Sequence, residues 1–286
     1  MPLDVTAPPA VAQRPSRLHL AGVPVDRMTM RQSLAWIAEK LQSQSESNHP
    51  LLVMGPNAHI VSAAQGSSQF LVALNSADLC VPDGISILLA SLLLSQPIPE
   101  RVTGGELMEQ LCALAARDNL SVFFLGGLPG AAEGAAAALR RRYPGLKVTC
   151  CCPPFRFEED SAELATVLDT ILQSAPDILC VALGVPRQEI WMHRHCPSLP
   201  IRLAISVGAA LDTQAGLRRR APAWTHKLGV EWAYRLAREP RRLWRRYLIG
   251  NSHFIVLVFA AWWRLRMSTA RSPLPTSTVT PSTQQK

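Results

Sequence analysis

Several signatures are missing from this sequence, and each absence removes a class of chemistry. No G-x-G-x-x-G turn and no Gly-rich loop ending in Lys-Ser/Thr occurs, so neither the dinucleotide fingerprint nor a P-loop is available. No D-x-D, H-x-x-x-H or paired Cys/His cluster occurs either, and the sequence predicts no bound metal and no cofactor. The opening MPLDVTAPPAVAQRPSRLHL lacks a cationic start followed by an apolar stretch, which predicts no secretory signal. The 7 cysteines are odd in number and lack C-x-x-C spacing, the usage expected of unpaired thiols in a reducing cytoplasm. Cys150, Cys151 and Cys152 follow a strand-like run in which neighbours point to opposite faces, so they read as small buried hydrophobes rather than ligands of one ion. Long apolar runs are absent too. The stretch from Phe254 to Trp263 has ten residues, about 15 Å as a helix, against roughly 20 needed to span a bilayer.

What is present suits one large α/β domain with an appendage. The chain has 286 residues, 48% hydrophobic and 17% charged. Residues 1–17, rich in Pro and Ala, and 268–286, rich in Ser, Thr and Pro, read as a disordered leader and tail. Between them lie an α/β core over 18–216 and a basic, aromatic, helical appendage over 217–267. Within the core, short apolar runs at 51–55, 77–81, 120–127, 146–151, 177–184 and 201–208 alternate with helical patterns at 57–65, 85–94, 105–117, 130–143, 161–174 and 188–196. Continuous apolar strands separated by helices predict a mainly parallel, Rossmann-like sheet with helices on both faces. Ligands of such sheets sit beyond the carboxyl ends of the strands, so the loops to watch are GPNAH, PDG, GGLPG, GVPRQE and GAALD. The acidic EED at Glu158–Asp160 reads as the first turn of a helix.

The formal net charge of +8 is local: Arg218 to Tyr247 holds ten Lys/Arg against Glu231 and Glu239. Arg235, Arg238, Arg242 and Arg245 are spaced three, four and three apart, so on one continuous helix they would share a face and repel each other unless an anion lay among them. Pro240 would kink or divide that helix. Trp262, Trp263, Arg264 and Arg266 suit the interfacial layer of a membrane, which predicts a peripheral attachment through this end, with burial on the core as the competing reading.

In order along the chain stand GPNAHIV, ADLCVPDGISILLA, PERVTGGELM, VFFLGGLPGAAE, RRYPGLKV, PDILCVALGVPRQEIWM, AISVGAALDTQAGLRRRAPAW and LGVEWAYRLAREPRRLWRRYLIGN. This series resembles the WecG/TagA/CpsF family of bacterial glycosyltransferases from about residue 18 to 260. The resemblance implies metal-independent, inverting transfer of a sugar, such as N-acetylmannosamine, its uronic acid or a glucose-type sugar. The donor would be a UDP-sugar and the acceptor an undecaprenyl-pyrophosphate-linked sugar. It implies a bacterial enzyme of exopolysaccharide or other cell-surface polysaccharide synthesis, cytoplasmic and peripheral on the inner face of the cell membrane.

Residue by residue, Asp83 matches the family's proposed catalytic base, a role that suits a carboxylate at a strand end; without the resemblance it is a turn-forming Asp before Gly. Arg101 matches an active-site arginine able to hold a phosphate oxygen by two hydrogen bonds. Gln188 matches a glutamine that could bind a sugar hydroxyl or the uracil edge, against a helix-capping reading. Asn57 also fits, whereas Gly55 stands where relatives commonly have Thr, and Gly104–Glu106 replaces a more usual G-T-D. His59 is a proton-transfer candidate, with a surface or capping role as its plainer reading. Arg235, Arg242 and Arg245 match arginines thought to grip a diphosphate in place of a metal ion. Two other readings stay open: a nicotinamide-dependent oxidoreductase, disfavoured by the missing fingerprint, and a basic nucleic-acid-binding protein, which would leave the loop series without a purpose. The expected partners are the donor, the lipid-linked acceptor and the membrane surface, with no nucleic acid; a homo-oligomer is left open.

Overall fold

The computed structural model describes residues 16–43, 49–218, 225, 234 and 250–269. Arg235, Arg242 and Arg245, with most of the predicted appendage, lie outside the described residues.

The chain opens with an antiparallel hairpin, β1 (Arg17–Leu20) and β2 (Val23–Asp26). Its two-residue turn places both Ala21 (φ 49°) and Gly22 (φ 83°) in the left-handed region, the geometry that matches the twist of the flanking strands. Helix α1 (Met30–Ser43) leads into β3 (Leu51–Met54), and α2 (Ala58–Ala64) and α3 (Ser68–Asn75) lead into β4 (Leu79–Cys80). Then come α4 (Ile85–Leu93), α5 (Gly104–Arg117), β5 (Ser121–Gly126), α6 (Ala131–Arg142), β6 (Lys147–Cys151), α7 (Ser161–Ser174), β7 (Ile178–Ala182), α8 (Arg187–His195), β8 (Leu203–Ser206) and α9 (Ala210–Gln214). The last described element is α10 (Gly250–Thr269).

The core is a six-stranded sheet in the order β4-β3-β8-β7-β5-β6, with every neighbouring pair parallel. Strands β3, β7 and β8 are buried throughout, as their unbroken apolar runs require when helices cover both faces. The α/β class read from sequence is therefore the observed one. One face packs Ile60, Phe70, Ile171 and Met192 from α2, α3, α7 and α8; the other packs Leu107, Leu111, Leu139 and Leu211 from α5, α6 and α9. Steps toward β4 carry their helices on the first face, and steps toward β6 carry α5 and α6 on the second, the division that crossovers of one hand impose. Four neighbouring pairs are thereby split, since the chain leaves β3, β7 and β6 on the first face and β8 and β5 on the second, which opens a crevice along the carboxyl edge.

The structure also departs from the sequence reading. The β1–β2 hairpin and α1, α3 and α9 are additional elements. Strand β4 has two residues rather than the run 77–81, although the Val81 N–H still donates to the Met54 carbonyl at 2.8 Å. Cys150, Cys151 and Cys152 are half-buried rather than buried; partial burial still raises each thiol pKa, Cys150 to about 11, which keeps them as inert thiols. The EED segment splits its duties: Asp160 caps α7 by accepting from the Ala162 and Glu163 N–H groups, while Glu158 pairs with Arg187. Helix α10 has 20 residues, extending well beyond the apolar run, yet no helix among the described residues is long and apolar enough to cross a membrane.

Candidate active site

Because all six strands run the same way, the loops that follow them gather on one edge. Asp83 lies three residues past β4 and is half-buried. Its backbone N–H donates to the Pro56 carbonyl at 3.0 Å, tying its loop to the one after β3. A Cβ built on Gly55 would lie 3.4 Å from the Asp83 Cβ and 3.7 Å from its Oδ2, ordinary contact distances, so the buried residue 55 stands directly against the Asp83 side chain. Gly84, at φ 147°, adopts a conformation that only glycine holds without strain, and from there α4 starts.

Asn57 caps α2: its Oδ1 accepts from the Ile60 N–H at 3.1 Å. That leaves the amide NH2 outside the cap, 3.6 Å being the separation between the Asn57 Cβ and a Cβ built on Gly84. Arg101 is half-buried, and the next residue, Val102, donates its N–H to the Pro82 carbonyl at 3.0 Å, which sets the arginine beside the Asp83 loop. Thr103 caps the start of α5, its Oγ1 accepting from the Glu106 N–H at 3.1 Å and donating to Glu106 Oε2 at 2.9 Å. Gly104 allows this helix to begin over the end of β8: a Cβ there would meet the Ser206 carbonyl oxygen at 2.9 Å. Of the G-G-E segment, Gly104, which the more usual G-T-D shares, is required by packing, and Glu106 takes part in the start of α5.

Gln188 is 3% exposed and points inward. Its Oε1 accepts from the Gly208 N–H at 3.2 Å and its Nε2 donates to Glu189 Oε1 at 2.7 Å, so it locks the loop after β7 to the loop after β8. One amide hydrogen and one oxygen lone pair remain beyond those two bonds. The capping alternative does not hold, since α8 has no side-chain cap. Glu189 is fully buried, with Oε2 making no hydrogen bond, and burial pushes its carboxyl up to about 7. Asp212, 4% exposed, accepts from the Leu128 N–H at 2.9 Å through Oδ1 and from Arg218 Nε at 3.1 Å through Oδ2. It therefore fixes the GGLPG loop after β5. Sequence reading overlooks Glu189 and Asp212 as site-builders, although both stand in the strand-end segments GVPRQE and GAALD.

The far end of the chain also returns to this edge. Ser62 Oγ donates to the Gly250 carbonyl at 2.7 Å, and a Cβ on Gly250 would lie 3.6 Å from His59 Nδ1. Phe254 and Val258 of α10 are buried against the core, and the helix packs along α2. The stretch holding Arg235, Arg242 and Arg245 thus departs from Arg218, beside the β5 loop, and rejoins at α2, beside the β3 loop. Among the described residues, no three His, Cys, Asp or Glu side chains group as metal ligands.

Residues 18–268 match the profile of the glycosyl transferase WecG/TagA/CpsF family. Proteins of Staphylococcus aureus strains MRSA252, MW2 and NCTC 8325, each named N-acetylglucosaminyldiphosphoundecaprenol N-acetyl-beta-D-mannosaminyltransferase, are 31% identical to the chain over 230 residues. The match covers 80% of this chain and 88% of each relative.

Proposed function

Because this chain belongs to the WecG/TagA/CpsF family of glycosyltransferases, we propose that it moves a sugar from a UDP-sugar to an undecaprenyl-pyrophosphate-linked sugar in cell-surface polysaccharide synthesis. The name of the staphylococcal relatives favours N-acetylmannosamine as the donor sugar, with its uronic acid and glucose-type sugars as the other candidates. The observation that carries this reading is Asp83, half-buried at the carboxyl edge beside Gly55, with Arg101 and Asn57 on the loops bound to its own.

Asp83 takes the proton from the acceptor hydroxyl as that oxygen attacks the anomeric carbon. The bond from that carbon to the β-phosphate oxygen breaks with its electron pair leaving on UDP, and the anomeric centre inverts. Arg101, Arg235, Arg242 and Arg245 bind the phosphates and offset the charge gathering on the departing diphosphate, so that no metal ion is needed. Asn57 and the remaining hydrogen-bonding capacity of Gln188 serve substrate hydroxyls. Gly55 offers no hydroxyl beside Asp83, so any substrate contact of that kind passes to another group.

Helix α10 supplies the membrane contact. Its inner face is buried, while Ile255, Val256, Phe259 and Trp263 are exposed alongside Arg264 and Arg266, a composition suited to the interface of an anionic bilayer. Apolar residues left in water on a helix already anchored to the core fit a lipid surface that also carries the acceptor.

The deciding experiment measures UDP release from several UDP-sugars with a synthetic lipid-pyrophosphate-sugar acceptor, without added metal. Acceptor-dependent release from one donor is the expected result; no release from any donor, or release only after a divalent cation is added, would refute the reading or its metal-free form. Anionic vesicles should retain the full chain several-fold better than a variant carrying Ile255→Asp and Phe259→Asp, and equal retention would remove α10 from the membrane role.

A further inference from the structure

Helix α4 carries an apolar face that the core does not use. Ile87 and Ala90 are buried against the sheet, while Ile85, Leu89, Leu92 and Leu93 are exposed. The four exposed residues recur at i, i+4, i+7 and i+8, so they form one continuous stripe about 12 Å long. Leu89 and Leu92 keep 60% and 62% of their surface in water, which makes the stripe a face in its own right and not the rim of a packed one. The outer side of an ordinary surface helix holds charges, yet no charged residue occurs from Gly84 to Pro99.

The stripe begins two residues after Asp83. Gly84 is the N-cap of α4, and a Cβ built on it would lie 3.6 Å from the Cβ of Asn57, the N-cap of α2, so both helices start from one place at the carboxyl edge. Helix α10 also adjoins α2, through the bond from Ser62 to Gly250, and its Phe254 belongs to the same cluster of buried side chains as Ile87. Helices α4 and α10, each with an exposed apolar face, thus both lie against α2 beside the proposed base. Their compositions differ. Helix α10 exposes Phe259 and Trp263 next to Arg264, aromatic and cationic groups that suit lipid headgroups. The α4 stripe is Ile and Leu alone, with no group to meet a phosphate or a glycerol and a surface suited to plain hydrocarbon.

We infer that the exposed face of α4 binds the polyprenyl chain of the acceptor. The inference rests on the acceptor proposed above, whose sugar hydroxyl must reach Asp83 while a diphosphate joins that sugar to the chain. The covalent structure of such a substrate keeps its first isoprene units near Asp83, and the α4 stripe is an apolar surface that starts there. The methyl-branched chain packs on Ile and Leu through dispersion contacts that need no directional partner. Free energy gained on this remote part of the substrate holds the sugar's hydroxyl in place against the base, where freedom of the head group would otherwise be lost from the rate.

Transfer rates of the full chain with two synthetic acceptors test this, both with the same sugar-diphosphate head, one carrying a polyprenyl chain in detergent micelles and one a short, water-soluble alkyl group. A variant combining Leu89→Asn, Leu92→Asn and Leu93→Asn should lose roughly tenfold or more in kcat/KM for the polyprenyl acceptor, the scale of a few methylene groups left unburied. Its kcat/KM for the short acceptor, its KM for the donor, its Tm and its retention on anionic vesicles should match the parent, and Leu→Met at the same three positions should restore polyprenyl transfer. Undiminished polyprenyl transfer by the Asn variant would overturn the inference, as would equal losses with both acceptors, since the stripe would then be supporting the Asp83 loop. A matching loss of vesicle retention would assign the stripe to the bilayer instead, and a fall in sedimenting mass would assign it to a second copy of the chain. A parent chain that transfers to neither acceptor would remove the acceptor assignment together with this site.

Discussion

The two ends of the central sheet use the same side chain, aspartate, in different ways. At the amino end, Asp177 accepts hydrogen bonds from the Ser121 N–H and hydroxyl and pairs with Arg202, joining the starts of β5, β7 and β8. Asp78 there accepts from the Leu52 N–H, while along the outer edge Asp26, fully buried and gripped by two nitrogens of Arg17, accepts from the Cys80 N–H at 2.6 Å. The last of these satisfies a donor on the outer side of the edge strand β4 and fastens the hairpin across it. At the carboxyl end, Asp83 is half-buried in a loop whose backbone N–H is bonded to the β3 loop, and its side chain stands beside Gly55. The amino-end carboxylates tie strands together, whereas Asp83 stands at the carboxyl edge, where ligands of parallel sheets bind, and it is there that we propose a chemical role.

Exchanging the two kinds of aspartate gives the largest contrast. Asp83→Asn should lower transfer roughly a hundredfold or more, as loss of a general base does, while thermal unfolding and UDP affinity stay near the parent values. A variant that turns over normally would erase the distinction. Asp177→Ala should do the reverse, costing about 2 kcal/mol of stability by leaving the Ser121 donors without their acceptor, with turnover per folded molecule unchanged. Burial alone would push the Asp177 pKa up, but its bonds from Ser121 and Arg202 outweigh that and lower it. The stability it contributes is therefore present above the ordinary aspartate range and lost as pH falls through its folded pKa, so Asp177→Ala should flatten the acid limb of a Tm-versus-pH curve.

Gly104→Ala probes the join between helix and sheet at the carboxyl end. The added methyl meets a backbone oxygen that cannot swing aside, and about 1–3 kcal/mol of stability should be lost in chemical denaturation, with activity falling as α5 is displaced from β8. The smallest effect concerns Glu189. Burial raises its pKa to about 7, so between the unfolded value near 4.5 and 7 the native state holds a proton that the unfolded chain releases. Its contribution then makes stability decline as pH rises through that window and level off above it. Glu189→Gln should remove a few degrees of the fall in Tm between pH 5 and pH 8. An unchanged slope would show that Glu189 titrates normally.

Much of this molecule could be read from its residues, and the reasons are local. The apolar runs 51–55, 177–184 and 201–208 lie in strands covered on both sides, and a pattern of that kind depends only on neighbours along the chain. Helix α7 spans Ser161–Ser174 as its periodicity predicts, because Asp160 at its start is a strong cap wherever it occurs. The short helices α3 and α9 and the hairpin escaped notice because they depend on tertiary contacts: β2 exists as a latch on β4, and α9 as a lid over α6. Gln188 shows the same division at the site. Its identity drew attention to it, but its two internal bonds follow from β7 and β8 being neighbours, which no spacing in the sequence states.

The sequence by itself determined the layered α/β class and the set of polar residues found just past the strands, since burial pattern and turn chemistry act over a few residues. Only the tertiary structure decided which strand ends adjoin, that Gly55 stands against Asp83, that the Arg187 guanidinium lies over Phe155 while paired with Glu158, and that helix α10 packs on α2. Those relations are set by strand order and by packing between segments far apart along the chain, where the free energy depends on which surfaces meet rather than on which residues are neighbours in sequence.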